Sequence, residues 1–151
     1  MSASARLAEL GIELPPVAAP VAAYVPAIRV GTQVWTSGQL PFVDGELTAT
    51  GKVGGSVSPE DAAAAARTAA LNAIAAAADV AGGIDEIRRI LKVVVFVASA
   101  PDFTGQPAVA NGASTLLGDV FGDAGQHVRS AVGVAALPLD AAVEVELIVE
   151  A

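Results

Sequence analysis

Cysteine is absent from the 151 residues, histidine occurs once, and aromatic side chains make up only 4% of the chain. The first absence removes disulfides, thiolate nucleophiles and cysteine-ligated zinc or iron–sulfur sites. The single histidine, His127, excludes a multi-histidine metal site, and a Ser–His–Asp triad would have to be built around it alone. Scarce aromatics, set against 54% hydrophobic residues and a mean hydropathy of +0.60, leave a core made mainly of Ala, Val, Leu and Ile. Such a core is short of bulky anchors. Burial between subunits would compensate, so an oligomer is expected.

Positive charge is scarce as well. Eight basic residues stand against sixteen acidic ones, for a net charge of −8, and no run of Lys or Arg stands out along the chain. Affinity for phosphates comes mainly from clustered cations, so a nucleic-acid partner is disfavoured. Long apolar runs are missing too. "MSASARLAELGIELPP" is interrupted by Arg6, Glu9 and Glu13 and has no signal-peptide architecture. "DAAAAARTAALNAIAAAADVAGG" is alanine-rich, broken by Arg67, Asn72 and Asp79, and too weakly hydrophobic to span a bilayer. The expectation is a soluble, cytoplasmic protein with no membrane partner, folded as a single domain over 1–151.

What is present reads as alternating short elements. A short helix is predicted from Ser4 to Leu10, closed by Gly11. Pro15, Pro16, Pro20 and Pro26 then make 1–26 an extended lead-in. "AIRVGTQVWTSGQLP" reads as a hairpin, Ala27–Val30 and Gln33–Ser37, turning at Gly31-Thr32. "FVDGELTATGKVGG" reads as a turn, a brief third strand and a loop. Ser58 as N-cap, Pro59 at the first helical position and Asp61 start a helix that alanine carries to about Val80, where Gly82-Gly83 end it. Ile90–Ala98 is a β-branched strand covered on both faces. A second helix is predicted over Gln106–Phe121, and final strands over Val128–Ala135 and Ala142–Val149. The order implies an α+β domain with both helices on one face of a single sheet.

Alternation assigns faces. Val143, Val145, Leu147 and Val149 share one face of the last strand, and Glu144, Glu146, Ile148 and Glu150 the other. In the strand before it, Arg129, Ala131 and Gly133 oppose Val128, Ser130, Val132 and Val134. If the valine-rich faces take the helices, Arg129, Glu144 and Glu146 lie together on the open face. There they either line a site or form an exposed cross-strand ion pair, which contributes little by itself.

With these elements in place, "YVPAIRVGTQVWTSGQLP" (24–41), "ARTAALNAIAAAADVAGG" (66–83), "KVVVFVASAPDF" (92–103) and "RSAVGVAALPLDAAVEVELIVE" (129–150) resemble the reactive intermediate deaminase (Rid or YjgF) family, in a less characterised branch of it. "TSGQLP" and "R-S-x-V…LP…VEVE" are specific in combination and weak apart. The resemblance implies a chorismate-mutase-like domain of ferredoxin-like order that assembles as a homotrimer with sites in the clefts between subunits. It also implies hydrolysis of enamine/imine intermediates such as 2-aminoacrylate to 2-keto acids and ammonia, with no metal or organic cofactor. By resemblance Arg129 binds the substrate carboxylate, which suits a planar guanidinium. Glu144 matches the acid that positions water, and Tyr24, Ser37 and Asn111 match site-lining positions. Ala131 stands where a cysteine is common, so only its backbone can serve. Gly133 replaces a larger residue, which predicts a wider pocket.

Other signals have plain readings. His127 reads as a rim or structural residue, Ser37 as a pocket hydrogen-bonder or turn residue with nothing nearby to activate it. Tyr24 is equally an interface aromatic, and Asn111 equally a partner for loop backbone. Gly51, Gly54 and Gly55 lack phosphate-loop spacing, so 51–55 is expected to be a mobile rim with Lys52 solvated. Two further functions share the resemblance: a non-catalytic trimer that binds small carboxylates or acts as a regulator or chaperone, and an endoribonuclease or translation inhibitor.

Overall fold

A computed structural model describes residues 1–20 and 22–151. Helix α1 (Ala3–Leu10) is capped by the Ser2 hydroxyl, which accepts from the Ala5 amide. Strands β1 (Ala27–Val30) and β2 (Gln33–Thr36) form the expected hairpin, with Val30 opposite Gln33 across a two-residue turn. Helix α2 (Pro59–Ala81) starts on Ser58, whose hydroxyl accepts from the Asp61 amide. Then follow β5 (Arg89–Ala98), α3 (Gln106–Phe121), β6 (Val128–Val134) and β7 (Val143–Glu150). The predicted third strand does not join the sheet. Phe42–Val43 (β3) and Glu46–Leu47 (β4) pair only with each other, because the turn at Asp44 and Gly45, both at positive φ, closes a ribbon too short to reach a neighbour.

The main sheet has the order β1-β2-β7-β5-β6. β7 is antiparallel to both β2 and β5, whereas β6 runs parallel to β5 at the far edge. α3 makes the parallel crossover, and α2 and α3 cover one face. The apolar side of β7 (Val143, Val145, Leu147, Val149) is buried against them. α2 buries Ala62, Ala66, Ala69, Ala70, Ala73 and Ala77, all inaccessible to solvent, so small side chains let it approach the sheet and α3 closely. α1 is a third helix, docked through Arg6, whose Nε donates to the Asp119 carbonyl of α3 at 2.8 Å. Its first turn is held by Asp85, which accepts from the Ser4 hydroxyl and amide; those bonds draw the carboxyl below its ordinary range.

The face assignment of β6 differs from the sequence reading. β6 pairs in register with β5 so that Arg129, Ala131 and Gly133 lie beside Val93, Val95 and Val97, which are buried beneath the helices. Arg129 therefore faces α3, and Val128 and Val132 face the open side. Glu144 pairs with Phe96 and Glu146 with Val94, whose side chains lie on that open side. Arg129 and Glu144 sit on opposite faces of the sheet, two strands apart, and form neither a common site nor an ion pair within one chain. Valine count misleads here because the open face is apolar as well: Ile28, Trp35, Val128 and Val132 are all exposed on it.

The 51–55 loop is also more fixed than expected. Val53 is fully buried, its amide donates to the Ala98 carbonyl, and its own carbonyl accepts from the Ala100 amide. Lys52 meets Asp140 at 3.3 Å on the surface. No helix among the described residues is long and apolar enough to cross a membrane.

Candidate functional site

The six residues singled out from sequence fall into two groups, one on each face of the sheet. The first surrounds Glu144. Its carboxylate lies over Gly38, where an added Cβ would stand 2.7 Å from Glu144 Cδ, so a larger residue there would have to push this side chain aside. Glu144, Gly38, Tyr24, Pro26, Leu40 and Pro138 line a cleft of about 50 Å³, enough for one or a few waters. Ser37 does not present a free hydroxyl to this cleft. Its Oγ donates to the Val25 carbonyl at 2.6 Å and its amide donates to the Pro26 carbonyl. Those bonds fasten the segment that carries Tyr24, and no base accompanies the hydroxyl.

Glu144 is half-buried and has no hydrogen-bond or ion-pair partner among the described residues. Burial raises its pKa above the ordinary carboxylate value, and the neighbouring Glu146 charge adds to that. A carboxylate kept short of partners beside a water-sized cleft is a stronger base than a solvated one, which suits it to holding and deprotonating water.

The second group surrounds Arg129 on the helix side. Arg129 Nη1 donates to Asn111 Oδ1 at 2.8 Å and to Ser114 Oγ at 3.2 Å. Asn111 and Ser114 are three apart on α3 and so share a helix face. Both hydrogens of Nη1 are thereby used, while Nε–H and Nη2 have no such partner among the described residues and leave one edge of the guanidinium for a carboxylate. Ala131 lies two residues along on the same face of β6, packed against the core. At Gly133 a Cβ would stand 2.7 Å from Gln106 Nε2 and 3.0 Å from Ser99 Oγ, and the glycine itself is exposed and lines an open groove with Lys52, Phe103 and Gln106.

Sequence reasoning missed Ser114, and it read His127 as a rim or structural residue without naming its partners. In the structure Ser114 Oγ is 2.9 Å from His127 Nε2, and His127 Nδ1 is 2.7 Å from the Gly125 carbonyl. The available signal was the Asn111-x-x-Ser114 spacing facing the strand that begins at His127. No cluster of three or more His, Cys, Asp or Glu among the described residues is placed to hold a metal ion.

An α+β sheet with two helices on one face, a short parallel crossover, and an arginine and a lone carboxylate on its two sides defines a small chorismate-mutase-like domain. The chain belongs to the YjgF family: the family described as "YjgF/chorismate_mutase-like, putative endoribonuclease" matches residues 4–151. Protein TCP17 of Trypanosoma cruzi is 47% identical over 148 residues, 97% of this chain and 92% of that protein. The crystal structure of Atu1372 from Agrobacterium tumefaciens shares 44% identity and a TM-score of 0.89, over 98% of this chain and 91% of that one. The structure of TdcF from E. coli with bound serine shares 27% identity and a TM-score of 0.65, over 91% and 94% of the two chains.

Proposed function

We propose that the protein is a deaminase of the RidA type, hydrolysing 2-imino acids to 2-keto acids and ammonia in clefts between the copies of a homotrimer. The observation that carries this reading is the division of the candidate residues into two incomplete halves on opposite faces of one sheet. An arginine with a free carboxylate-binding edge stands on one side, an unpaired carboxylate of raised pKa on the other. Packing copies through the exposed Ile28, Trp35 and Val132 surface would bury apolar area that one chain leaves in water. It would also set the Arg129, Asn111 and Ala131 half of one copy against the Glu144, Tyr24 and Ser37 half of its neighbour.

In such a cleft Arg129 anchors the substrate carboxylate and holds the imine carbon in place. Glu144 orients a water over Gly38 and takes one of its protons as the oxygen attacks that carbon. Glu144 returns that proton to the nitrogen of the resulting carbinolamine, the C–N bond breaks, and ammonia leaves as the hydroxyl gives up its proton and the carbonyl forms. The imine is already electrophilic, so delivery of water in line is the main contribution. No step needs a metal or an organic cofactor. Serine, the ligand in TdcF, carries the same carboxylate next to a nitrogen-bearing carbon, which favours a ligand of this class.

The test is to add the protein to a reaction that generates 2-aminoacrylate and follow keto-acid release. Acceleration at catalytic protein concentrations is expected. Binding of pyruvate without acceleration would instead establish a non-catalytic carboxylate binder, which uses the same Arg129 and leaves Glu144 idle. Cleavage of RNA in a parallel assay would support the endoribonuclease reading, which the net charge of −8 disfavours.

A further inference from the structure

We propose that Ser114 and His127 are positioning residues that fix the orientation of Arg129, so that its Nε/Nη2 edge is presented to a carboxylate already aligned. The inference rests on the reading of Arg129 as the carboxylate anchor. Its basis is a one-way chain of hydrogen bonds. The Gly125 carbonyl can only accept, so His127 Nδ1 carries the hydrogen of their 2.7 Å contact. In the neutral imidazole Nε2 is then an acceptor, and it takes the Ser114 hydroxyl hydrogen at 2.9 Å. Ser114 Oγ, its hydrogen committed, turns a lone pair to Arg129 Nη1 at 3.2 Å. Each link sets the direction of the next, and aligned bonds of this kind polarise one another.

The far end of the chain is immobile. Gly125 packs under α3 so closely that a Cβ there would lie 2.3 Å from the Leu117 carbonyl oxygen. The position of its own carbonyl, and with it the tilt of the imidazole, is set by backbone packing. Asn111 holds the same Nη1 from one turn earlier on α3. Two anchors on one nitrogen define the guanidinium plane, where one would leave it free to rotate about the shared bond.

A nucleophilic Ser–His pair is the competing reading of the same atoms. It fails on the third member, because a carbonyl oxygen cannot stabilise an imidazolium as a buried carboxylate does. The serine is also bonded to the Arg129 cation, at 3.2 Å. Ser114 accepts a hydrogen bond from that cation, which draws electron density away from an oxygen that would have to attack.

The experiment is titration of the full-length protein with pyruvate, together with steady-state hydrolysis of 2-iminopropanoate, for Ser114→Ala, Ser114→Thr, His127→Leu and His127→Gln. Loosening of Arg129, with Asn111 still holding Nη1, predicts about a 3- to 10-fold rise in pyruvate Kd and in KM for Ser114→Ala and His127→Leu, with kcat kept within roughly two-fold. Ser114→Thr, which keeps the hydroxyl, and His127→Gln, which offers an amide oxygen near the place of Nε2, are expected to recover most of the affinity. Wild-type affinity in both Ser114→Ala and His127→Leu would overturn the inference, as would equal loss in the conservative variants. Pyruvate binding is read without turnover, so a protein that binds pyruvate and hydrolyses no imino acid refutes the deaminase reading alone.

Discussion

The two half-sites are built on contrary principles. Around Arg129 polar groups are matched to one another: Asn111 and Ser114 take both hydrogens of Nη1, and His127 and Gly125 continue the chain. Around Glu144 nothing among the described residues matches: the carboxylate sits over a glycine, beside a second carboxylate and a small cleft, with burial raising its pKa. A group that binds profits from being held still, because ordering is then complete before the ligand arrives. A group that must take a proton profits from being left unsatisfied.

The largest effect expected from breaking this contrast is at the unsatisfied end. Glu144→Gln keeps size and hydrogen-bonding capacity but removes the base, so kcat for 2-iminopropanoate should fall by roughly 10²- to 10⁴-fold while pyruvate Kd stays near wild type. At the matched end Arg129→Ala should weaken pyruvate binding by roughly 10- to 100-fold, the scale of hydrogen bonds to a charged group, and Arg129→Lys should recover only part, since a point charge cannot reproduce the fork. Both are read by calorimetry beside a turnover assay. Gly38→Ala sharpens the comparison by disturbing only geometry. Its Cβ must displace the Glu144 carboxylate, and a drop of about tenfold in kcat with unchanged pyruvate affinity is expected.

The smallest effect concerns pH. In the proposed mechanism Glu144 works ionised, so the acid limb of kcat should lie above the ordinary carboxylate range and vanish in Glu144→Gln. For stability the sign is opposite to that of a salt-bridged acid. The folded chain holds this proton more tightly than the unfolded chain, so Glu144 lowers stability progressively as pH rises from its unfolded pKa through its raised folded pKa. Glu144→Gln should melt slightly higher than wild type at neutral pH, and the gain should disappear at acid pH.

Much of the fold was legible because local signals agreed. Ser58, Pro59 and Asp61 mark the start of α2, and the strict alternation of Val143 to Glu150 matches the burial of β7 at every position. The face of Arg129 was not legible. β6 is small or apolar at both parities, so its orientation is decided by its in-register pairing with β5, a contact between residues more than thirty positions apart. β5 itself carries a bulge between Ile90 and Lys92 that shifts its parity, so Ile90 and Val93 are both buried. Arg129, Glu144 and Asn111 could be named from the resemblance. Which of them can meet within one chain depends on sheet pairing that no short motif encodes.

The central claim is that Arg129 of one copy and Glu144 of another complete each site, and co-assembly of two inactive variants tests it most directly. Arg129→Ala and Glu144→Gln are mixed one to one, unfolded and refolded together, and assayed on 2-iminopropanoate beside each variant alone. If the halves come from neighbouring copies of a closed trimer, random assortment restores about a quarter of the sites, and the mixture recovers about a quarter of wild-type turnover where each parent has almost none. A mixture that co-assembles yet stays as inactive as its parents would contradict a site shared between subunits.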